Sequence, residues 1–154
     1  MNKQTMQITL ETAKAIYSTV PESFKRDLED MFGKNSFYTK IEDRVKTFED
    51  ACEVLEIDPI IFPNKTPKST IAHYKLEIIV EALNEGWEPN WNNNNEYKYY
   101  PWFKQSPSGF GFSGTSYDYW FTRASVGSRL CFKTRELSNY AGTQFEDIYK
   151  DFMI

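Results

Sequence analysis

Apolar residues recur along this chain in two rhythms, and the change between them divides it. From residue 11 to residue 85 the spacing is helical. Ala13, Ile16, Tyr17 and Val20 share one side of a short segment that Thr9 is placed to cap. Phe24, Leu28, Met31 and Phe32 form a second stripe, begun at Pro21 and closed by Gly33. Thr47-Phe48-Glu49-Asp50 has the form of a capping box, and Phe48, Ala51, Cys52 and Leu55 supply the stripe behind it. Pro59, Pro63 and Pro67 make residues 59–68 an irregular connection. Beyond it Ala72, Leu76, Ile79, Val80 and Leu83 hold the 3–4 spacing of a long helix, which Ser69 or Thr70 starts and Gly86 closes. Residues 34–46 are polar and mixed. Residues 6–10 alternate loosely, as a short strand or an extended lead-in.

After Gly86 the period falls to two. Residues 87–95, with Pro89 and four consecutive asparagines, read as a loop. Residues 96–105 alternate and are rich in β-formers, and Pro101 marks an edge or a bulge. Residues 117–122 and 128–134 read as two further strands. Thr134 then caps a closing helix with Leu137, Ala141, Phe145, Ile148 and Phe152 on one face. This order predicts an α+β fold: N-terminal helices, a small antiparallel meander of three or four strands, and a C-terminal helix packed on the sheet. The 154 residues suit one domain, with a helical part over 1–86, an aromatic β meander over 87–133 and the last helix over 134–153.

Composition sharpens the middle segment. Aromatic residues make up 17% of the chain, and 14 of the 26 fall between residues 87 and 133, including Trp87, Trp91, Trp102 and Trp120. Such density builds either a thick β core or a stacking surface. The net charge of -4 argues against a general DNA binder, whose affinity comes from phosphate neutralisation. Residues 87–133 carry five basic and three acidic side chains and form the one net-positive segment. The two cysteines make no disulfide framework. The opening MNKQTMQITLETAK lacks the apolar core of a signal peptide, and no run approaches 18 apolar residues. The expectation is a cytoplasmic protein with reduced thiols.

Candidate chemistry is sparse. In SPSGFGFSG, residues 106–114, Gly109, Gly111 and Gly114 have the G-x-G-x-x-G spacing of a phosphate cradle. A dinucleotide fingerprint must open a helix, whereas TSYDYWF follows here and has strand character. Gly-Lys-Ser/Thr, H-R-D and D-F-G are all missing from the chain. The glycines therefore read as bends or close approaches in a β segment. His73 is the one histidine, and no C-x-x-C or D-x-D-x-D-G motif accompanies it, so neither a metal nor another cofactor is expected. Cys52 or Cys131 paired with His73 is the enzymatic reading. Cys52, however, sits on an apolar stripe as a small hydrophobe; Cys131, between Leu130 and Phe132, stays open. The acidic residues of the helices read as solvated faces.

Tyr97, Tyr99, Tyr100, Trp102 and Phe103 interleave with Lys98 and Lys104. Alternation puts Tyr97 and Tyr99 on one face and Lys98 and Tyr100 on the other. Either both faces are core, or one is an exposed stacking surface with Arg123 and Arg129 available to phosphates. The candidate binding residues are Tyr99, Trp102, Lys104, Trp120, Arg123 and Arg129.

Three stretches, RVKTFEDACEVLEIDP, IAHYKLEIIVEALNEGWEPNWNNNNEYKYYPWFK and GSRLCFKTRELSNYAGTQFEDIYKDF, span most of residues 44–152. With the words KYYPWF, GSRLCF and YAGTQF in order, they resemble a family of small uncharacterised proteins encoded by phages and mobile elements of Bacteroidetes. The resemblance implies an intracellular phage product and brings no activity or site residue with it. The expectation is a non-enzymatic binding protein, a virion component or an inhibitor of a host system, which meets a protein partner or itself through the aromatic sheet surface. The alternative is a nucleotide or single-stranded nucleic-acid binder.

Overall fold

The computed structural model describes residues 8–38, 40–107, 109–118 and 129–154. The chain divides into two compact units, Met1–Arg44 and Val45–Ile154.

In the first unit the caps act as read, while Phe24 and Met31 of the second stripe are exposed. The Thr9 hydroxyl accepts from the Thr12 N–H at 3.3 Å and starts helix α1, Leu10–Ile16. Helix α2, Glu22–Phe32, ends at Gly33, which adopts φ +80° and donates its N–H to the Glu29 carbonyl at 2.7 Å. Two elements arise in the stretch that showed no pattern: a 3₁₀ turn over Lys34–Ser36 and a single-turn helix α3, Ile41–Arg44. The Tyr17 ring stacks on Phe37 at 4.4 Å, and its hydroxyl bonds the Glu29 carboxylate. Burial, with that bond, holds the Tyr17 hydroxyl protonated far above its ordinary range.

The second unit begins with helix α4, Phe48–Val54, whose capping box closes in both directions. The Asp50 N–H donates to the Thr47 Oγ1 at 3.1 Å, and the Thr47 N–H donates to the Asp50 Oδ2 at 2.9 Å. Helix α5, Lys68–Asn84, starts at Pro67 rather than at Ser69 or Thr70. The Pro67 carbonyl accepts from the N–H groups of Thr70 and Ile71, and proline at the N-cap offers no side-chain oxygen, so no hydroxyl cap is used. Glu85 and Gly86, at φ +51° and +79°, end it in the left-handed region. Helix α5 packs on α4.

Strand β1, Lys98–Ser106, pairs antiparallel with β2, Gly109–Asp118, and the register shifts at Trp102/Phe103. Trp102 faces Gly114 while Phe103 faces Phe112, so Ser113 is the extra residue of a bulge one position beyond Pro101. The Phe112 N–H beside it donates to the Glu146 Oε2 at 2.8 Å.

The α+β class holds: the described residues form seven helices and a two-stranded antiparallel sheet. The meander of three or four strands reduces, among these residues, to that ribbon and one bridge. Of the strand expected over 117–122, Tyr117 and Asp118 belong to β2 and the rest lies outside the described residues. Of the strand expected over 128–134, Phe132 alone pairs, exchanging both backbone bonds with Tyr99 at 3.1 and 2.7 Å. Its neighbours are engaged otherwise. The buried Asn84 side chain donates Nδ2 to the Cys131 carbonyl at 2.8 Å and accepts from the Lys133 N–H at 3.0 Å. A side-chain amide has taken the place of a strand edge.

The closing helix is also corrected, to two pieces: α6, Arg135–Gln144, and α7, Glu146–Met153, broken at Phe145. The break lets α6 lie on the ribbon while α7 turns onto α5. Thr134 caps α6 through its hydroxyl, as expected. Gly142 sets how closely α6 and the ribbon meet: a Cβ there would fall on the Phe112 ring and within 2.9 Å of the Pro101 side chain. Leu76, Ile79, Leu83, Leu130, Phe132 and Ala141 are at most 1% exposed and mark the core of the unit.

Candidate functional site

One face of the ribbon carries a tyrosine cluster. Tyr97 stacks on Tyr99 at 5.9 Å and meets the Tyr117 ring edge-on at 4.8 Å. The Arg135 guanidinium lies 5.5 Å from the Tyr99 ring and 5.9 Å from the Tyr117 ring, and Nη1 donates to the Thr115 carbonyl at 3.0 Å. The cluster is thereby pinned at its inner edge, while Tyr97 and Tyr117 each keep 41% of their surface exposed.

The expected binding residues do not form a single surface. Tyr99 lies in the cluster under Arg135. Trp102, 46% exposed, and the exposed Lys104 share the opposite face of β1, because they stand three and five residues from Tyr99. Arg129 is remote from both in role: its Nη1 reaches the Glu77 Oε1 of α5 at 3.5 Å. Trp120 and Arg123 lie outside the described residues. The glycine motif runs within β2 and opens no helix. Gly109, at φ +135°, leaves the turn opposite Ser106, and Gly114, at φ +144°, sits at the bulge opposite Trp102.

Lys98 is the least expected feature. Its side chain is 1% exposed, yet it carries a charge. The ammonium donates to the carbonyls of Asn90, Asn93 and Glu96 at 2.7, 3.0 and 2.9 Å. The Glu96 carboxylate stands 3.1 Å away and the Trp91 ring 5.5 Å away. The asparagine loop is wrapped around an internal cation. Alternation puts Lys98 beside the buried Tyr100, but nothing local marks the three carbonyls as its partners.

Beside that loop, within the second unit, lies an open cleft of about 600 Å³. Tyr74, Glu77 and Glu81, at spacings of three and four, line it from one face of α5. Trp87, Glu88 and Trp91 line it from the loop, with Arg129 at one side and Cys131 in the lining. In the sequence these carboxylates belong to the helix acids that read as a solvated face. The signal was the tyrosine on the same helical face, followed by two tryptophans just past the helix end.

The thiols favour structure over chemistry. Burial raises the Cys52 thiol and pushes the Cys131 thiol from 9.0 up to about 12, and the reactive form of cysteine is the thiolate. His73 lies 5.2 Å from the Phe152 ring, centre to centre. Among the described residues no group of three or more His, Cys, Asp or Glu could hold a metal ion, and no helix is long and apolar enough to cross a membrane.

The Cys131 shift has a measurable consequence. The folded chain keeps a proton that the unfolded chain releases above pH 9.0, so this contribution is complete below 9.0 and is lost as pH rises towards 12. Between about pH 8 and about pH 10, wild type is expected to lose about 1 kcal/mol more stability than Cys131→Ala. Urea unfolding of both proteins at the two pH values checks this, and parallel losses would contradict it. Compared with known proteins, the chain matches no family model, no curated protein and no solved structure.

Proposed function

We propose that this is a non-enzymatic binding protein that takes a protein partner through the tyrosine face of its ribbon. The observation that carries the reading is the cluster of Tyr97, Tyr99 and Tyr117, pinned by Arg135 and left half open. Tyrosine and arginine dominate binding energetics at protein interfaces, and rings already held in place lose little freedom on binding. The cation at the cluster is engaged internally, which favours a protein over a polyanion: Arg135 bonds the Thr115 carbonyl. With the resemblance to phage-encoded proteins as its support, the reading takes the partner to be a virion component or a host system that the protein inhibits. Self-association through the same face belongs to this reading.

Stacking of a nucleotide or single-stranded nucleic acid is the second reading. It is favoured by one observation, the exposed Trp102 two residues from Lys104 on one strand face.

The test is native purification from host extract, followed by measurement of the recovered partner's Kd and of sedimentation against concentration. Tyr97→Ser/Tyr117→Ser is expected to weaken the partner about thirtyfold, about 1 kcal/mol for each ring. A partner held equally well by this variant overturns the reading. Quenching of tryptophan emission by an oligonucleotide, lost in Trp102→Ser and weakened by salt, decides for the second reading instead.

A further inference from the structure

The cleft beside α5 is a different surface from the tyrosine face and has its own chemistry. Its walls are the aromatic rings of Tyr74, Trp87 and Trp91. Among the described residues, its charged groups are Glu77, Glu81 and Glu88 against one cation, Arg129. Ile78, Val80 and Cys131 add apolar and weakly polar lining. Aromatic faces beside carboxylates attract cations twice over, through the ring quadrupole and through charge, and an apolar lining suits the methylene stem of a long basic side chain.

The chain already shows how this region treats cations. The Lys98 ammonium lies 5.5 Å from the Trp91 ring. The Arg129 guanidinium lies beside Glu77, but at 3.5 Å, longer than a well-formed charged bond, and its side chain is 80% exposed. Arg129 is therefore a loosely held internal occupant of the cleft edge, and Glu77 is only weakly engaged by it. Glu77 and Glu81 stand one turn apart on α5, a spacing that lets both meet one planar fork.

We propose that this cleft binds an arginine side chain presented by a basic peptide segment of a partner. The guanidinium stacks on an indole, Glu77 and Glu81 accept its N–H groups, and Glu88 closes the third side. Arg129 swings out, which its exposure permits. No residue of this site belongs to the tyrosine face, so the proposal does not rest on the function proposed above.

The test uses the full chain and two short capped peptides, one with two arginines separated by glycine and one with citrulline in their place. Titration is followed by tryptophan emission and by calorimetry. The arginine peptide is expected to saturate, and the neutral citrulline peptide to bind at least tenfold more weakly. Glu77→Gln/Glu81→Gln is expected to weaken the arginine peptide at least tenfold with an unchanged urea midpoint. Arg129→Ala is expected to tighten it several-fold, since a competing cation has been removed. That last sign is decisive, because in an anion site the same substitution would weaken binding. Three outcomes overturn the proposal: no saturable binding of the arginine peptide, binding indifferent to the two glutamates, or weaker binding in Arg129→Ala together with saturable binding of inorganic phosphate.

Discussion

Lys98→Met is expected to lower the unfolding free energy by about 3 kcal/mol while keeping the volume and the apolar stem of the side chain. An ammonium has three N–H donors, and Lys98 uses all of them on the carbonyls of Asn90, Asn93 and Glu96. Bonds to a charged group contribute more than neutral ones, on the order of 1.5–3 kcal/mol each. The total is smaller than their sum, because Asn90 and Asn93 are exposed residues whose carbonyls can regain water when the loop opens. The Glu96 carboxylate also accepts from the Asn90 N–H at 2.8 Å, so the loop is tied back at two points by one ion pair. Without the ammonium, the carboxylate faces three carbonyl dipoles alone. Lys98→Arg is not expected to rescue, because a flat fork cannot direct its donors at three carbonyls converging on one point. The readouts are the urea midpoint at constant m-value and the hydrogen exchange of the Asn90 amide. An unfolding free energy within about 0.5 kcal/mol of wild type would refute the idea that the loop depends on this cation.

Asn84→Leu is expected to destabilise by about 2–4 kcal/mol, again with the volume roughly kept. Asn84 is 4% exposed at the end of α5 and satisfies two backbone groups of the 131–133 segment at once. Leucine leaves the Cys131 carbonyl and the Lys133 N–H in an apolar setting, and an orphaned buried group costs about 1–3 kcal/mol. The aspartate variant separates this account from simple loss of packing. A carboxylate can still accept from Lys133 but sets an oxygen against the Cys131 carbonyl. Its neutral form donates to that carbonyl, so the folded-state pKa of the new acid lies above its unfolded value. Asn84→Asp should therefore recover stability, relative to Asn84→Leu, as pH falls towards the ordinary aspartate value of about 4, and lose it as pH rises through the raised folded-state value. Equal pH profiles for the two variants would rule out the hydrogen-bond account.

The two predictions fall where sequence reading was least informed, and the reason is common to both. Thr9, the Thr47/Asp50 box, Gly33 and Thr134 were legible because a cap joins groups three or four residues apart, and the chain carries both partners in one short word. The helical stripe of α5 was legible because Ala72, Leu76, Ile79, Val80 and Leu83 are all buried at that spacing, and β1 was legible through its β-forming residues. The glycine motif was legible through what followed it, since strand residues cannot open a helix to receive a phosphate.

The candidate sites were legible only in their ingredients. The aromatic and basic residues of β1 were singled out, yet Tyr99 and Trp102 fall on opposite faces, and the tyrosine cluster is completed by Tyr117 and Arg135 from later in the chain. The cleft needs one face of α5, the loop past its end and Arg129 to converge.

Caps, periods and turn chemistry act over a few residues, so the amino-acid order alone determines α1, α2, α4, α5 and the start of α6, the first strand and the bends of the second, but not the single turn α3. The third strand, the straightness of the last helix, the burial of Lys98 and the cleft were decided by tertiary structure. Lys98 meets carbonyls only two, five and eight residues before it, yet no local pattern marks them; the third strand and the cleft turn on contacts far apart in the chain. Asn84 and Cys131 are 47 residues apart, and a single amide there outcompetes a strand edge because it satisfies two buried backbone groups that the alternation of apolar residues cannot.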